Sequence, residues 1–484
     1  EPRRMLNGLS DIRAFFHTNA TPLYFISPTP FNLLGIDRWV RNFFYVTYFD
    51  SFEGAHSRVF VPRRRDRIDF GSMGDVCNHL LADPETLEFI ARRGPGGKAC
   101  FVMLDEETQA LARQAGLEVM HPPAELRHRL GSKVVMTRLA DEAGVPSVPH
   151  VIGRVSSYDE LSELARSAGL GDDLVVVAAY GDAGTTVFFV RGQRDWDDHA
   201  GDLVGQQEVK VMKRIRNVEV CIEGTVTRHG TVIGPAMTSL VGHPELTPRK
   251  GGWCGNDVWR EVLPPAQTRA ARDIVRKLGD ILSREGYRGY FEVDLLHDLD
   301  SDVLYLGEVN PRLSGASPMT NLTTEAYADM PLFLFHLLEY MDVDYQLDID
   351  EINSRWERGY GEDEVWGQLI ITETSPDVEL FTATPRTGVW HIDDDGRVWF
   401  ARQGNDWATL LDESEAFYMR VAAPGDLRCE GAQLGVLVTR GHLQTNDYQL
   451  TERCKRWVKG LKAKFVSTPL APATPIVSRL VARA

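Results

Sequence analysis

The 484-residue chain is short of the features that mark several large protein classes. It has six cysteines, Cys77, Cys100, Cys221, Cys254, Cys429 and Cys454, set far apart with no Cys-x-x-Cys pair, which argues against a zinc site and a disulfide framework. No apolar run approaches the ~18 residues of a membrane span, and the opening Glu1-Pro-Arg-Arg-Met-Leu-Asn-Gly has no apolar core of a signal peptide. Both point to a cytoplasmic protein with no membrane partner. The formal charge of −16 is spread along the chain and disfavours a polyanion, so no nucleic-acid partner is expected. No Ser-His-Asp arrangement, Gly-x-Ser-x-Gly or His-Glu-x-x-His pattern offers nucleophilic or zinc chemistry. Gly94-Pro-Gly-Gly-Lys98 lacks the spacing and the following hydroxyl residue of a phosphate loop and reads as a turn.

What is present is a globular composition, 43% hydrophobic and 25% charged, long enough for about three domains at ~150 residues each. To about Pro123 the chain alternates apolar strands with helical stretches. Leu23–Ser27, helical spacing over Leu33–Val40, Phe43–Tyr48, then Ala99–Leu104 and a helix over Glu106–Ala115 suggest a parallel α/β sheet.

The most informative stretch is a pair of apolar strands, Gly289-Tyr-Phe-Glu-Val-Asp-Leu-Leu296 and Val303-Leu-Tyr-Leu-Gly-Glu-Val-Asn310, separated by a polar turn. As an antiparallel hairpin they set Asp294 beside Glu308, with Asn310 and Arg312 just beyond. Magnesium takes oxygen ligands and favours one or two carboxylates plus phosphate oxygens and water, so Asp294, Glu308 and the Asn310 amide suit it. Arg312 adds a permanent planar fork of donors for phosphate or carboxylate oxygens.

Gly307-Glu-Val-Asn-Pro-Arg312 resembles the signature that ends the nucleotide domain of ATP-grasp enzymes, and Asp294 falls where that family's first metal ligand falls. The resemblance implies an α/β and α+β fold: a Rossmann-like pre-ATP domain over 1–125, an ATP-grasp domain over 126–345 with its small lobe at about 150–210, and a C-terminal β-rich lobe over 346–484, as in the biotin-carboxylase-like branch. Strand patterns at Trp366–Thr372, Gly388–Ile392, Arg397–Phe400 and Leu434–Thr439 and a helix over Asp447–Lys464 fill that lobe.

Other site residues follow from the resemblance. Lys133, after Gly131-Ser132 and opening a helix that ends in Ala-Gly-Val-Pro146, corresponds to a phosphate ligand; a lysine at a helix start opposes the helix dipole unless an anion neutralises it. Gly181, Gly184, Thr185 and Thr186, between strands Asp173–Tyr180 and Thr185–Val190, would close a backbone N–H cradle over the triphosphate. Lys210 to Met212 would hold adenine through main-chain groups. Arg249 or Lys250, on the glycine-rich loop 246–256, would reach the γ-phosphate. One departure stands out: the strand before the glycine turn reads Val177-Ala178-Ala179 where many family members carry a lysine.

With ATP and Mg2+ as cofactors, the activity implied is a carboxylate–amine ligase that forms an amide or peptide bond through an acyl phosphate, releasing ADP and phosphate. Its partners would be a small carboxylate and an amine, amino acid or short peptide, with a homodimer possible for this class. A biotin carboxylase-like enzyme and a non-enzymatic nucleotide-binding regulator are the other readings. The chain has no Met-Lys-Met carrier segment, and its turn at Gly181 is not a long glycine run.

Overall fold

The computed structural model describes residues 5–63, 68, 70–181, 186–328, 330–359 and 364–470, with the backbone alone at 325–328 and 356–359. Of the five sheets among the described residues, the three largest organise the chain. The first segment folds as a five-stranded, wholly parallel sheet in the order Val59–Phe60, Phe43–Thr47, Leu23–Ser27, Lys98–Phe101, Glu118–Val119. Its inner strands are uniformly buried, as expected of a sheet covered on both faces. Leu33–Val40, read as helical, forms only two short 3-10 turns, Phe31–Leu33 and Ile36–Arg38, because Gly35 between them takes a left-handed φ of +91° that an α-helix cannot continue through.

The second sheet has four strands in the order His150–Gly153, Val209–Lys213, Leu174–Ala178, Val187–Val190, all antiparallel. One face, with Leu174, Val176, Val209 and Val211, buries against Leu161 and Ala165 of one helix and Trp196 and Leu203 of another. Period-2 alternation leaves Val175, Val177, Lys210 and Met212 on the opposite face.

The third sheet has ten antiparallel strands. Val303–Asn310 is one edge, followed by Gly289–Asp298, Asn217–Thr227, Gly230–Val241 and Trp253–Val258; Trp366–Thr372 then pairs with Trp253–Val258 and continues it into the C-terminal strands. This sheet therefore runs across the boundary expected near residue 345. Met5–Asn7 likewise pairs with Asp344–Gln346. The amphipathic helix Pro265–Arg284 packs Ile274, Val275, Leu278 and Leu282 under the strands that carry Asp294 and Glu308. No helix among the described residues is long and apolar enough to cross a membrane.

Candidate active site

Asp294 and Glu308 are Cα partners across the Gly289–Asp298 and Val303–Asn310 ladder, and Glu292 pairs with Asn310 two residues along. Paired residues of an antiparallel ladder present their side chains to the same face, so the hairpin gathers Glu292, Asp294, Glu308 and Asn310 into one acidic patch. Burial, then the charges of Glu292, Glu219 and Glu308, push the Asp294 carboxyl well above the ordinary range. The Glu292 carboxyl is raised by burial and by Glu223. This is an excess of negative charge that a cation would relieve. The amide nitrogen of Asn310, rather than its oxygen, is turned to the acids, 3.0 Å from Glu292 Oε2 and 3.5 Å from Asp294 Oδ2. A half-turn of the amide exchanges the two atoms, so Asn310 presents a metal-facing oxygen only after that rotation. Among the described residues, no group of three or more His, Cys, Asp or Glu side chains is placed to hold a metal ion, so the candidate set is the carboxylate pair Asp294 and Glu308 with the Asn310 amide.

Lys133 opens the helix Lys133–Glu142 behind the Ser132 cap, and its Nζ lies 3.3 Å from Glu308 Oε2. Glu308 thus supplies part of the anionic charge that a lysine at a helix start calls for. The Lys133 N–H donates to Ala179 O at 2.8 Å and fixes the entry to the glycine turn, while His128 stacks on Tyr180 with ring centroids 4.5 Å apart. Gly181 has a φ of +146°, and a Cβ there would come within 2.3 Å of Thr186, so glycine is required. Gly184 and Thr185 lie outside the described residues. Thr186 accepts from Ala178 N through its carbonyl at 3.1 Å.

The adenine-holding main chain expected at Lys210 to Met212 is not available there. Val209–Lys213 is an inner strand with partners on both sides, so its N–H and C=O groups belong to the ladders. The chain leaves strand geometry at 214–216, between the second and third sheets, where Arg214 N donates to Asp173 O at 3.0 Å and Arg216 O accepts from Leu299 N at 2.9 Å. The Lys210 side chain has a different position from that expected of a bystander. It is 2% exposed, and Lys210 and Val177 are Cα partners. Burial lowers the ammonium pKa to about 8 against the opposing pull of Asp141 and Glu308. A lysine is therefore present beside the strand that lacks one, carried on the neighbouring strand.

Arg312 follows the hairpin, and its charge acts on both Glu292 and Asp294. The loop behind it is held from three sides. Glu223, fully buried, accepts from Tyr290 Oη at 2.6 Å, Ser314 Oγ at 2.8 Å and Ser317 Oγ at 2.7 Å. Asn32 of the parallel-sheet segment donates to Ser314 O at 2.7 Å, and Gln368 of the C-terminal strands donates to Gly315 O at 2.7 Å. At Gly315 a Cβ would sit 2.3 Å from the Trp253 ring. Glu223 escaped notice in the sequence, where the only hint is one glutamate inside Val220-Cys-Ile-Glu-Gly224.

Arg249 and Lys250 lie on the connection between Gly230–Val241 and Trp253–Val258, closed by Gly242 N to Gly252 O at 2.9 Å. On those strands Met237, reached through Cys221, is level with Asp294, whereas this loop begins past Val241. Among the described residues no ion pair joins Arg249 or Lys250 to Asp294 or Glu308.

No family model matches the chain. Among curated proteins it is 24% identical over 235 residues to the methylcrotonoyl-CoA carboxylase subunit alpha of Arabidopsis thaliana, covering 46% of this chain and 30% of that protein. It is 22% identical over 233 residues to biotin carboxylase 1 of Bacillus subtilis, covering 46% of this chain and 49% of that protein. The chain thus aligns with half or less of the length of these relatives. Among solved structures, the biotin carboxylase domain of Hydrogenobacter thermophilus 2-oxoglutarate carboxylase, determined with MgADP and bicarbonate, superposes with a TM-score of 0.61 at 11% identity over 92% of this chain and 90% of that one. The Aspergillus clavatus N5-carboxyaminoimidazole synthase, determined with ADP and an aminoimidazole ribonucleotide, gives 0.53 at 12% identity over 87% and 94%. Phosphoribosylamine–glycine ligase of Thermotoga maritima gives 0.54 at 14% identity over 92% and 97%. The chain has the ATP-grasp fold.

Proposed function

We propose that the protein is an ATP- and Mg2+-dependent carboxylate–amine ligase that joins a small carboxylate to an amine, such as an amino acid or short peptide, through an acyl phosphate. The observation that carries this reading is the facing pair Asp294 and Glu308, with Lys133 on Glu308 and the buried Lys210 within electrostatic reach of it. Carboxylates and cations in one cleft suit a metal–nucleotide pair better than either partner alone.

Asp294, Glu308 and a rotated Asn310 would hold Mg2+, which supplies charge neutralisation of the phosphate oxygens. Lys133 and Lys210 bind and orient those oxygens. An oxygen of the substrate carboxylate attacks the γ-phosphorus as the bond to ADP breaks. Arg312 stabilises the charge on the phosphoryl oxygens in transit. The amine nitrogen then attacks the acyl carbon, its proton passes to solvent and phosphate departs with the transferred oxygen. The protein contributes position and electrostatics, with no covalent nucleophile.

The likeness to biotin-dependent carboxylases favours a second reading, in which bicarbonate is the carboxylate and biotin the amine. One experiment separates them: phosphate release measured with bicarbonate plus biotin, and with a matrix of amino acids and dipeptides. A ligase turns over only when a carboxylate and an amine are both supplied and is indifferent to biotin. Turnover driven by bicarbonate and biotin selects the carboxylase, and turnover under neither condition removes both. The carboxylase domain from Hydrogenobacter thermophilus is a dimer, and the same assembly is proposed for this chain, to be checked by light scattering.

A further inference from the structure

Arg127 lies on the helix Ala124–Leu130, which follows the last strand of the parallel sheet. It is 6% exposed, and its Nε donates to Pro311 O at 3.2 Å, so the guanidinium abuts the backbone that carries Arg312. Its Nη1 is shielded from solvent and has no hydrogen-bond partner among the described residues. The groups that feel its charge are Arg312, the phenols of Tyr287 and Tyr340, the Cys77 thiol and the imidazoles of His121 and His336, with no carboxylate among them. Arginine stays charged in any such environment, and a buried charge lacking its counter-ion is strongly unfavourable.

The position suits a ligand. His121, near Arg127, accepts from Phe101 N at 2.9 Å, and Cys77 donates to Ile26 O, so the guanidinium stands by the carboxyl ends of the two central parallel strands. Open α/β sheets bind ligands at those ends. On its other side is Arg312, where the phosphoryl group is proposed to move. We infer that Arg127 binds a second, non-reacting carboxylate of the substrate, so that the acid activated at Arg312 is a small dicarboxylate or an amino dicarboxylate. This rests on the ligase reading for the reacting end but uses a separate group for recognition.

The test is thermal stabilisation of the full chain by chain-matched acid pairs: malonate against propionate, succinate against butyrate, glutarate against valerate. Wild type, Arg127→Met and Arg127→Gln are compared, each with and without Mg2+ and a non-hydrolysable ATP analogue. The expected result is that at least one dicarboxylate stabilises the wild type at about tenfold lower concentration than its matched monocarboxylate, that this preference disappears in both variants, and that all three proteins keep their response to the nucleotide. A wild type without dicarboxylate preference, or a preference that survives in the variants, overturns the assignment. If neither variant folds, the wild-type comparison alone decides. Failure of the nucleotide to stabilise the wild type would sink the ligase reading and leave the Arg127 result to be judged separately.

Discussion

Lys210 and Val177 face one another across two antiparallel strands, with Lys210 buried on the face that looks away from the helices of its own lobe. On the proposed function, Lys210 takes the place, one strand over, of the lysine absent from the Val177-Ala178-Ala179 stretch. Lys210→Met should weaken ATP binding by about 10- to 150-fold, the range of a charged hydrogen bond of ~1.5–3 kcal/mol. Adding Val177→Lys to that variant should restore part of the affinity. Nucleotide titrations of the three proteins check this; unchanged affinity in the single variant would return Lys210 to a structural role.

The same lysine makes nucleotide binding pH-dependent. Burial holds its pKa at about 8 in the free protein, and a bound phosphate favours the charged form and raises it. Binding then takes up a proton between the two pKa values, so affinity should fall as pH rises above about 8 in the wild type. Calorimetry in buffers of different ionisation enthalpy should detect the uptake, and Lys210→Met should lose it.

Glu308→Gln keeps the shape of the hairpin but halves the facing charge pair and removes the partner of Lys133. Turnover should fall to background at any magnesium concentration, while thermal unfolding stays cooperative. Full activity at saturating magnesium would displace Glu308 from the metal site.

Glu223 is predicted to act through the loop it anchors. Glu223→Ala leaves three hydroxyl donors without their acceptor in a buried setting and should cost about 2–4 kcal/mol of stability. Because that loop follows Arg312, kcat should fall more than the ATP affinity. Denaturant unfolding and steady-state kinetics read the two effects.

The hairpin was legible in the sequence because its signal is local: two apolar strands, one carrying Asp294 and the other Glu308 at a spacing that brings them together, with Glu292 on the first strand joining them only in the fold. Lys133 was legible for the same reason, through its cap and the helix it opens. The burial of the Lys210 side chain beside Val177 was not legible, because the ladder with Leu174–Ala178 cannot be inferred from the Glu208–Val220 stretch alone. The same pairing places the main chain of Lys210–Met212 in an inner strand, which the stretch read by itself does not show. Glu223 and Arg127 were invisible because their partners lie tens to hundreds of positions away, at Tyr290, Ser314 and Pro311. The C-terminal strands were legible as apolar strand patterns, but their continuity with the central sheet through Trp366–Thr372 is a pairing that only the folded chain displays.

The central claim, that a carboxylate is activated by phosphoryl transfer at the Asp294–Glu308 site, is tested most directly by following oxygen. With a substrate acid labelled with oxygen-18 in its carboxylate, the account predicts ADP as the nucleotide product and inorganic phosphate carrying one labelled oxygen for each amide bond formed. AMP with pyrophosphate, or phosphate without label, would contradict it.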